Sequence, residues 1–570
     1  MPQNLRILAV AAPENETGSI DDGRIYSRDP ASLYNAMRYA AWQAANNPGS
    51  AWTESNLVGD RKTRRDKFLL MSSLDDMPEF ERKLAEEKPN ILFLGAMTLC
   101  LPGAVACAKK AREVLGDDVL IVLGGYHINE TMFQIETGLI QIGGVEPGRQ
   151  VIHHTGSPLR LMDNGKISAV QIMDKSFPIF DLVISGHAEH IIAEIGEVAA
   201  RALKETGSTR NVQPYLPQVN LDIPGDWIIG YVQDGMKTII SNGKAIDYNK
   251  MPSPASMFGV GSYFGVFQNN PDVPTPTAHT YSDTGGGCVY TCDFCSEGYK
   301  PKGSLIDASN SPTRLYRQLR EAEAVINVDH PGAAATAFVE DSIFLGGSRK
   351  FIEDFCSLME KEPRSSIRFG CQFTVNQALE FGKSGLLKRL HEAGLDYVFM
   401  GIETLNPDEI EGGMHKDRKR GYSIWADGVE GALIELKKAE IKSGAAVLFG
   451  LGEPHSSRVA LLDKIDEWRR ISLHTLRPIS INWAVLHPLR DVNTDIQYDY
   501  LQWGTSKDSP LMPLSHAFGE FSERYFMPKA GTPKLDEVRQ IVERVQAMNA
   551  VDDRGTHSGR AGATTTRARG

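Results

Sequence analysis

Residues 284–298 read TGGGCVYTCDFCSEG and hold three of the chain's seven cysteines, Cys288, Cys292 and Cys295, within eight residues. The spacing is Cys-x3-Cys-x2-Cys, and it directly follows an apolar run, 278–282, expected to form a β-strand. In parallel βα proteins, functional groups gather where strands end and loops begin. Three thiolates on one short loop can hold three irons of a cubane cluster. The fourth iron then lacks a protein ligand, and an open metal position is where a substrate can coordinate. Gly285, Gly286 and Gly287 let the backbone approach closely. Two other readings compete. A structural zinc site is usually closed by four protein ligands, and here the nearest histidine, His279, lies nine residues before Cys288. Three unrelated core cysteines are the other.

The run at 278–282 opens a series of six expected strands, continued at 335–340, 367–371, 397–401, 445–450 and 480–486. Helical patterns intervene at 312–324, 348–360, 385–393, 428–439 and 459–471. Six strand–helix units are too few for a closed eight-stranded barrel and fit an open one. Upstream, apolar runs at 5–10, 90–94, 119–123 and 182–185 alternate with helices such as 102–115, which has Pro102 at its first turn. That alternation predicts a parallel sheet covered on both faces.

The expected organisation is an α/β domain over 1–225, a linker segment over 226–275 and a partial barrel over 276–495. A helical C-terminal region follows over 496–551, and a polar, disordered tail over 552–570. Residues 12–88 and 135–178 read as insertions, with helices of their own near 31–45 and 74–87.

With 41% hydrophobic and 23% charged residues, the composition is that of a soluble globular protein. No apolar run reaches the roughly 18 residues that span a bilayer. The opening MPQNLRILAVAAP lacks a basic n-region and reads as a first strand, not a signal peptide. Membrane partners and secretion are therefore not expected, and the location is expected to be cytoplasmic. A net charge of −11 argues against nucleic acid, whose phosphates need clustered Lys and Arg. The local basic cluster Arg61–Arg65 reads as a solvated loop. Cys100, Cys107, Cys356 and Cys371 lie in apolar contexts and read as core residues.

The cysteine motif after a first barrel strand resembles the radical S-adenosylmethionine (SAM) superfamily. The resemblance implies that Cys288, Cys292 and Cys295 hold a [4Fe-4S] cluster, that Phe294 lies near the adenine of SAM, and that SAM chelates the open iron. Other segments are similar in order. Phe338-Val339-Glu340-Asp341-Ser342 resembles the acidic end of the second strand, near the SAM amino group. Gly401-Ile402-Glu403-Thr404 resembles the segment near the ribose, and Phe449-Gly450-Leu451-Gly452-Glu453 the turn after the fifth strand. Carboxylates suit an ammonium or ribose hydroxyls, and glycine permits close contact with adenine.

Upstream, residues 89–131 resemble the cobalamin-binding domains of such enzymes. Their strand–loop–helix–strand order ends here in Gly124-Gly125-Tyr126-His127, and Asp181, Gly186 and Glu189 resemble a later acidic segment, with His187 in place of the usual acid. The implied cofactor contacts are Thr98, Leu99, Gly124, Gly125, Tyr126, His127, Gly186 and Glu189. The methyltransferase-type D-x-H-x-x-G motif is missing, so the lower face of the corrin is expected to meet the loop 96–102 or water.

The fold implied is a Rossmann-like cobalamin domain, then a partial (β/α)6 barrel of the TIM type, then a small helical region. The activity implied is methyl transfer from SAM, through methylcobalamin, to an unactivated carbon or a phosphinate phosphorus of a small molecule. A tailoring step in antibiotic biosynthesis is the expected context, and an electron donor such as flavodoxin or ferredoxin an expected partner. A non-methylating rearrangement or oxidation, and a radical SAM enzyme without cobalamin, are the alternatives. A zinc-stabilised scaffold or a corrinoid carrier is the non-enzymatic one.

Overall fold

The computed structural model describes residues 4–13, 29–72, 74–97, 100–125, 128, 132–135, 140–142, 151–152, 180–233, 236–267, 275–284, 308–361, 364–405, 422–449, 453–472, 476–483, 498–500, 526–528 and 535–550. Apolar runs near the N-terminus become β1 (Ile7–Ala11), β2 (Phe68–Leu70), β3 (Ile91–Gly95) and β4 (Leu120–Gly124). A separate small antiparallel sheet follows, made of β5 (Met132–Ile135), β6 (Ile140–Ile142) and β7 (Val151–Ile152). The first sheet then resumes with β8 (Leu182–Ser185), β9 (Ile228–Val232) and β10 (Met236–Ile240).

Its strand order is β10-β9-β8-β4-β3-β1-β2. β1 to β4 and β8 are parallel, while β9 and β10 add on antiparallel. Taken in chain order, the five parallel strands run 2-1-3-4-5, which is the doubly wound arrangement with its switch point between β1 and β3.

Helices cover both faces, as the continuous apolar runs require. α1 (Ala31–Asn46) and α2 (Arg61–Arg65) follow β1, α3 (Met77–Glu87) precedes β3, α4 (Leu101–Leu115) joins β3 to β4, and α5 (Glu189–Thr206) follows β8. Alternate strand residues go to opposite faces. Leu8, Leu92 and Ile121 pack with Phe80 of α3 and Ala108 of α4. Ile7, Ile91 and Leu120 pack with Met37 of α1 and Ile195 of α5.

Three sequence expectations change here. Residues 12–88 hold the helices expected near 31–45 and 74–87, as α1 and α3, but are not an insertion: over the described part they and β2 are the ordinary parts of the winding. The expected linker contributes β9 and β10 to the first sheet, with β9 registered antiparallel on β8. The basic cluster is not a solvated loop but the helix α2, in which Arg64 is buried and donates to the Leu57 and Met257 carbonyls.

The second sheet is built from β11 (Thr277–Thr280), β12 (Thr336–Val339), β13 (Arg368–Phe373), β14 (Leu395–Glu403), β15 (Lys442–Phe449) and β16 (Leu476–Trp483). All six are parallel and lie in chain order, as expected for an open barrel. α6 (Pro254–Phe258) precedes it, and α7 (Ser311–Asp329), α8 (Arg349–Met359), α9 (Val375–Lys383), α10 (Leu386–Glu392), α11 (Tyr422–Lys438) and α12 (His455–Ile471) cover it. The core beneath them includes Leu319, Phe355, Leu390, Leu433 and Trp468.

Toward the C-terminus, β17 (Tyr498–Tyr500) and β18 (Phe526–Pro528) pair antiparallel, so the region expected to be helical also holds strands. α13 (Leu535–Ala550) buries Ile541, Val545 and Met548 in the barrel core. The Asn549 side chain accepts from the Ile479 amide and donates to its carbonyl, both at 2.9 Å. An amide side chain thus supplies a rung to the open edge of β16, and the helix covers that edge. The tail 552–570 lies outside the described residues. Cys100, Cys107, Cys356 and Cys371 are buried as expected, and burial pushes the Cys107 and Cys356 thiols up to about 12. No helix among the described residues is long and apolar enough to cross a membrane.

Candidate active site

The C-terminal ends of β11 and β12 lie side by side, because the strands pair in parallel with His279 opposite Phe338. β11 runs on into Tyr281, Ser282 and Asp283, the residues that lead into the cysteine loop. Cys288, Cys292, Cys295 and Phe294 lie outside the described residues, as do Gly285–Gly287. The approach to them is fixed from two sides. Asp341, just past β12, accepts from the Ser282 amide at 2.9 Å and from the Leu345 amide at 3.2 Å. Burial pushes the Asp341 carboxyl up to about 6, against those hydrogen bonds.

Asp283 has a left-handed backbone, φ 52°. Its carboxylate accepts two bonds from Arg38 of α1, at 2.9 and 3.3 Å, and one from Gln318 at 3.0 Å. Arg314 of α7 donates to the Ser282 and Asp283 carbonyls at 3.3 and 2.8 Å. The Ser282 hydroxyl is buried with no hydrogen-bond partner among the described residues.

Glu340, adjacent to Asp341, is used differently. Its Oε1 lies 2.6 Å from Nδ1 of His279, and its side chain stays 27% exposed. Gly401 and Glu403 end β14 at a register shift against β15, where Glu403 has φ 64°. Such an irregularity turns a side chain away from the strand's alternation, and positive φ at a non-glycine residue clusters at functional sites. Gly450 lies outside the described residues. Glu453 of the same expected turn is buried and paired with Arg458 at 2.5 Å.

The matching edge of the first sheet carries the residues expected around a corrin. Gly124 ends β4, and Gly125 follows with φ 100°, where a Cβ would meet the Ala96 carbonyl oxygen at 2.6 Å. Gly186, after β8, has φ 87°, and a Cβ there would meet the Asp226 carbonyl oxygen at 2.4 Å. Both glycines let neighbouring strand ends approach one another, which flattens this edge. Thr98, Leu99, Tyr126 and His127 lie outside the described residues.

Glu189 is buried at the start of α5, accepts from the Tyr248 hydroxyl at 3.0 Å and lies 3.7 Å from Arg38. Asp181 is held by Arg112, Arg210 and the Ile121 amide. His187 bonds Asp226 through both its backbone amide and Nδ1.

The two strand-end edges meet. Arg38 is fully buried between Glu189 of the first unit and Asp283 of the second. The Tyr281 hydroxyl donates to the Ala31 carbonyl at the head of α1 at 3.1 Å. None of Arg38, Tyr248, His279 and Asp283 was singled out as a site residue from sequence. One signal was present: Arg38 is the lone charged residue in the sixteen of α1.

Residues 283–465 match the model of the Radical SAM superfamily. No curated protein matches the chain. Among solved structures, it is similar to the cobalamin-dependent S-adenosylmethionine radical enzyme OxsB with aqua-cobalamin and S-adenosylmethionine bound. That match has a TM-score of 0.47 at 10% identity, over 96% of this chain and 66% of that one. OxsB with aqua-cobalamin alone gives 0.44 at 12%, over 92% and 57%. Streptococcus suis SuiB bound to S-adenosylmethionine gives 0.28 at 12%, over 48% of each chain. The chain spans less than two thirds of the length of each.

Proposed function

Proceeding from a radical SAM domain at residues 283–465, we propose that this protein is a cobalamin-dependent radical SAM methyltransferase acting on a small molecule. Its target would be an unactivated carbon or a phosphinate phosphorus. The observation that carries this reading is the Arg38–Asp283 pair, which joins the strand-end edge of a doubly wound domain to the head of the cysteine loop. Two cofactors can act on one substrate only if both face one cavity.

The residues present fit both groups. Three thiols on one loop match a site-differentiated cluster, and the Ser282 hydroxyl at its approach is buried without a hydrogen-bond partner among the described residues. At the first sheet, Gly125 and Gly186 keep side chains off the strand ends, leaving a surface that a flat macrocycle can approach. Bound there, the cluster would supply the electron that cleaves SAM, and cobalamin would carry the methyl group.

The chain's own residues bind and orient. Cys288, Cys292 and Cys295 would hold iron, Phe294 and Gly450 would serve the adenine of SAM, and Gly401 and Glu403 its ribose. Glu340 meets the SAM ammonium, and Asp341 fixes the approach to the loop through the Ser282 amide. Thr98, Leu99, Gly124, Gly125, Tyr126, His127, Gly186 and Glu189 make up the corrin side. A flavodoxin or ferredoxin is the donor class such a reduction requires.

The test is metal content. Protein produced with cobalamin and reconstituted without oxygen is expected to hold about four irons and about one cobalt per chain. The Cys288→Ala/Cys292→Ala/Cys295→Ala variant should lose the iron and keep the cobalt. Iron without cobalt would remove the methyl-transfer reading, and zinc in place of iron would remove the radical one as well.

A further inference from the structure

His279 is buried on β11, and both of its ring nitrogens are engaged. Nδ1 faces Glu340 Oε1 at 2.6 Å, and Nε2 faces Ser262 Oγ at 3.0 Å. The Ser262 hydroxyl also reaches the Thr277 carbonyl at 2.9 Å. One assignment of the protons satisfies these contacts together. A serine hydroxyl has one proton, and a carbonyl can only accept. The Ser262 proton therefore goes to Thr277, and His279 Nε2 must be the donor to Ser262. If His279 were neutral, the lone pair of Nδ1 would point at a carboxylate oxygen, unless Glu340 itself took up the proton. An imidazolium donating from both nitrogens satisfies both contacts at once.

We infer that His279 is a positioning residue of the SAM site. Its imidazolium pins Oε1 of Glu340, so that Oε2 meets the ammonium of an amino-acid ligand, here the methionyl end of SAM. The inference rests on the functional reading above and goes beyond it in naming what holds the carboxylate. Burial alone would lower the basicity of His279, but the hydrogen bond and charge of Glu340, with Asp29 contributing, raise it above the ordinary histidine value. The backbone supports the same alignment, since the Glu340 amide donates to the Thr280 carbonyl at 2.9 Å. Glu340 is thus fixed at both its main chain and one carboxylate oxygen, and a ligand need not spend binding energy ordering it.

The experiment compares SAM with 5′-methylthioadenosine, which keeps the adenosine and the S-methyl group but lacks the sulfonium charge and the whole amino-acid end. Both are titrated into the cluster-loaded wild type and into His279→Leu and His279→Gln. A charge-assisted hydrogen bond sets the scale, so His279→Leu should bind SAM about tenfold more weakly. It should bind methylthioadenosine as the wild type does, at unchanged iron content. His279→Gln, which keeps a donor without the charge, should recover part of the loss. If His279→Leu does not fold, Ser262→Ala removes the partner of Nε2 and should weaken SAM binding in the same selective way. Unchanged SAM affinity, or an equal loss for both ligands, overturns the inference while leaving the functional reading intact. A wild type that takes up no iron or no SAM overturns that reading, and the inference with it.

Discussion

Glu340 and Asp341 leave β12 together, yet one lies beside His279 while the other accepts from two backbone amides. The difference lies in their partners. Among the described residues Asp341 has no cation in contact, so desolvation dominates and its carboxyl is lifted to about 6. An unfolded aspartate titrates near about 4. Between these values the folded chain holds more protons than the unfolded one, so this site lowers stability as pH rises, with the full penalty above about 6. A shift of that size corresponds to about 2–3 kcal/mol. Urea unfolding of the wild type and Asp341→Asn should show the variant gaining that much relative to the wild type between pH 4.5 and pH 7.5. A constant difference across that range would refute the assignment. The cysteine triad, and the presence of acids beyond the second strand, were legible in sequence, because a motif is local. Which of the two acids is pinned by a histidine was not, since that depends on the register of β11 against β12.

The short helical turn Ala51–Glu54 packs on α5 at a small residue. Gly196 sits in the middle of α5, where a Cβ would meet the ring of Trp52 at 2.2 Å, and the Trp52 indole donates to the Ala193 carbonyl one turn away at 2.8 Å. An alanine in a helix interior ordinarily gains about 1 kcal/mol over glycine. Here the clash should outweigh that gain, and Gly196→Ala should destabilise the fold by about 1–3 kcal/mol net. The check is thermal unfolding, and a variant more stable than the wild type would show that Trp52 can move aside. The long apolar strands and most helices of both sheets were legible because each buries both faces or one clear stripe. β2 was missed because it is only three residues, Phe68–Leu70. β9 and β10 were missed because their β-branched runs lie in a stretch whose Gly, Pro, Asn and Asp content reads as loop. Only the antiparallel pairing of β9 on β8 and of β10 on β9 shows otherwise. In the same way α2 looked like a solvated basic run until Arg64 was seen to bond two carbonyls and Arg61 to pair with Asp329 of α7.

The two sheets are coupled through a buried charge whose partners no sequence pattern announces, because they lie far apart along the chain. Arg38 makes its bidentate bond across 245 residues to Asp283, lies near Glu189, and sits over the Tyr248 ring at 5.3 Å. Burial alone would weaken its basicity, but Asp283 and then Glu189 more than restore it. Desolvation makes such a pair a weak source of net stability, yet removing one partner strands the other. Arg38→Met should therefore cost about 3–5 kcal/mol, because Glu189 and Asp283 remain buried without their cation. Asp283→Asn should cost less, since an amide can still accept from Arg38 and since Arg38 keeps Glu189. The two losses should not add. In the double variant Asp283→Asn falls on a background where the arginine is already gone, so a cycle on urea unfolding should give a coupling of at least about 1 kcal/mol. Additive losses would mean that Arg38 and Asp283 act independently, and that the strand-end edges are held together by the Tyr281–Ala31 and Arg61–Asp329 contacts instead.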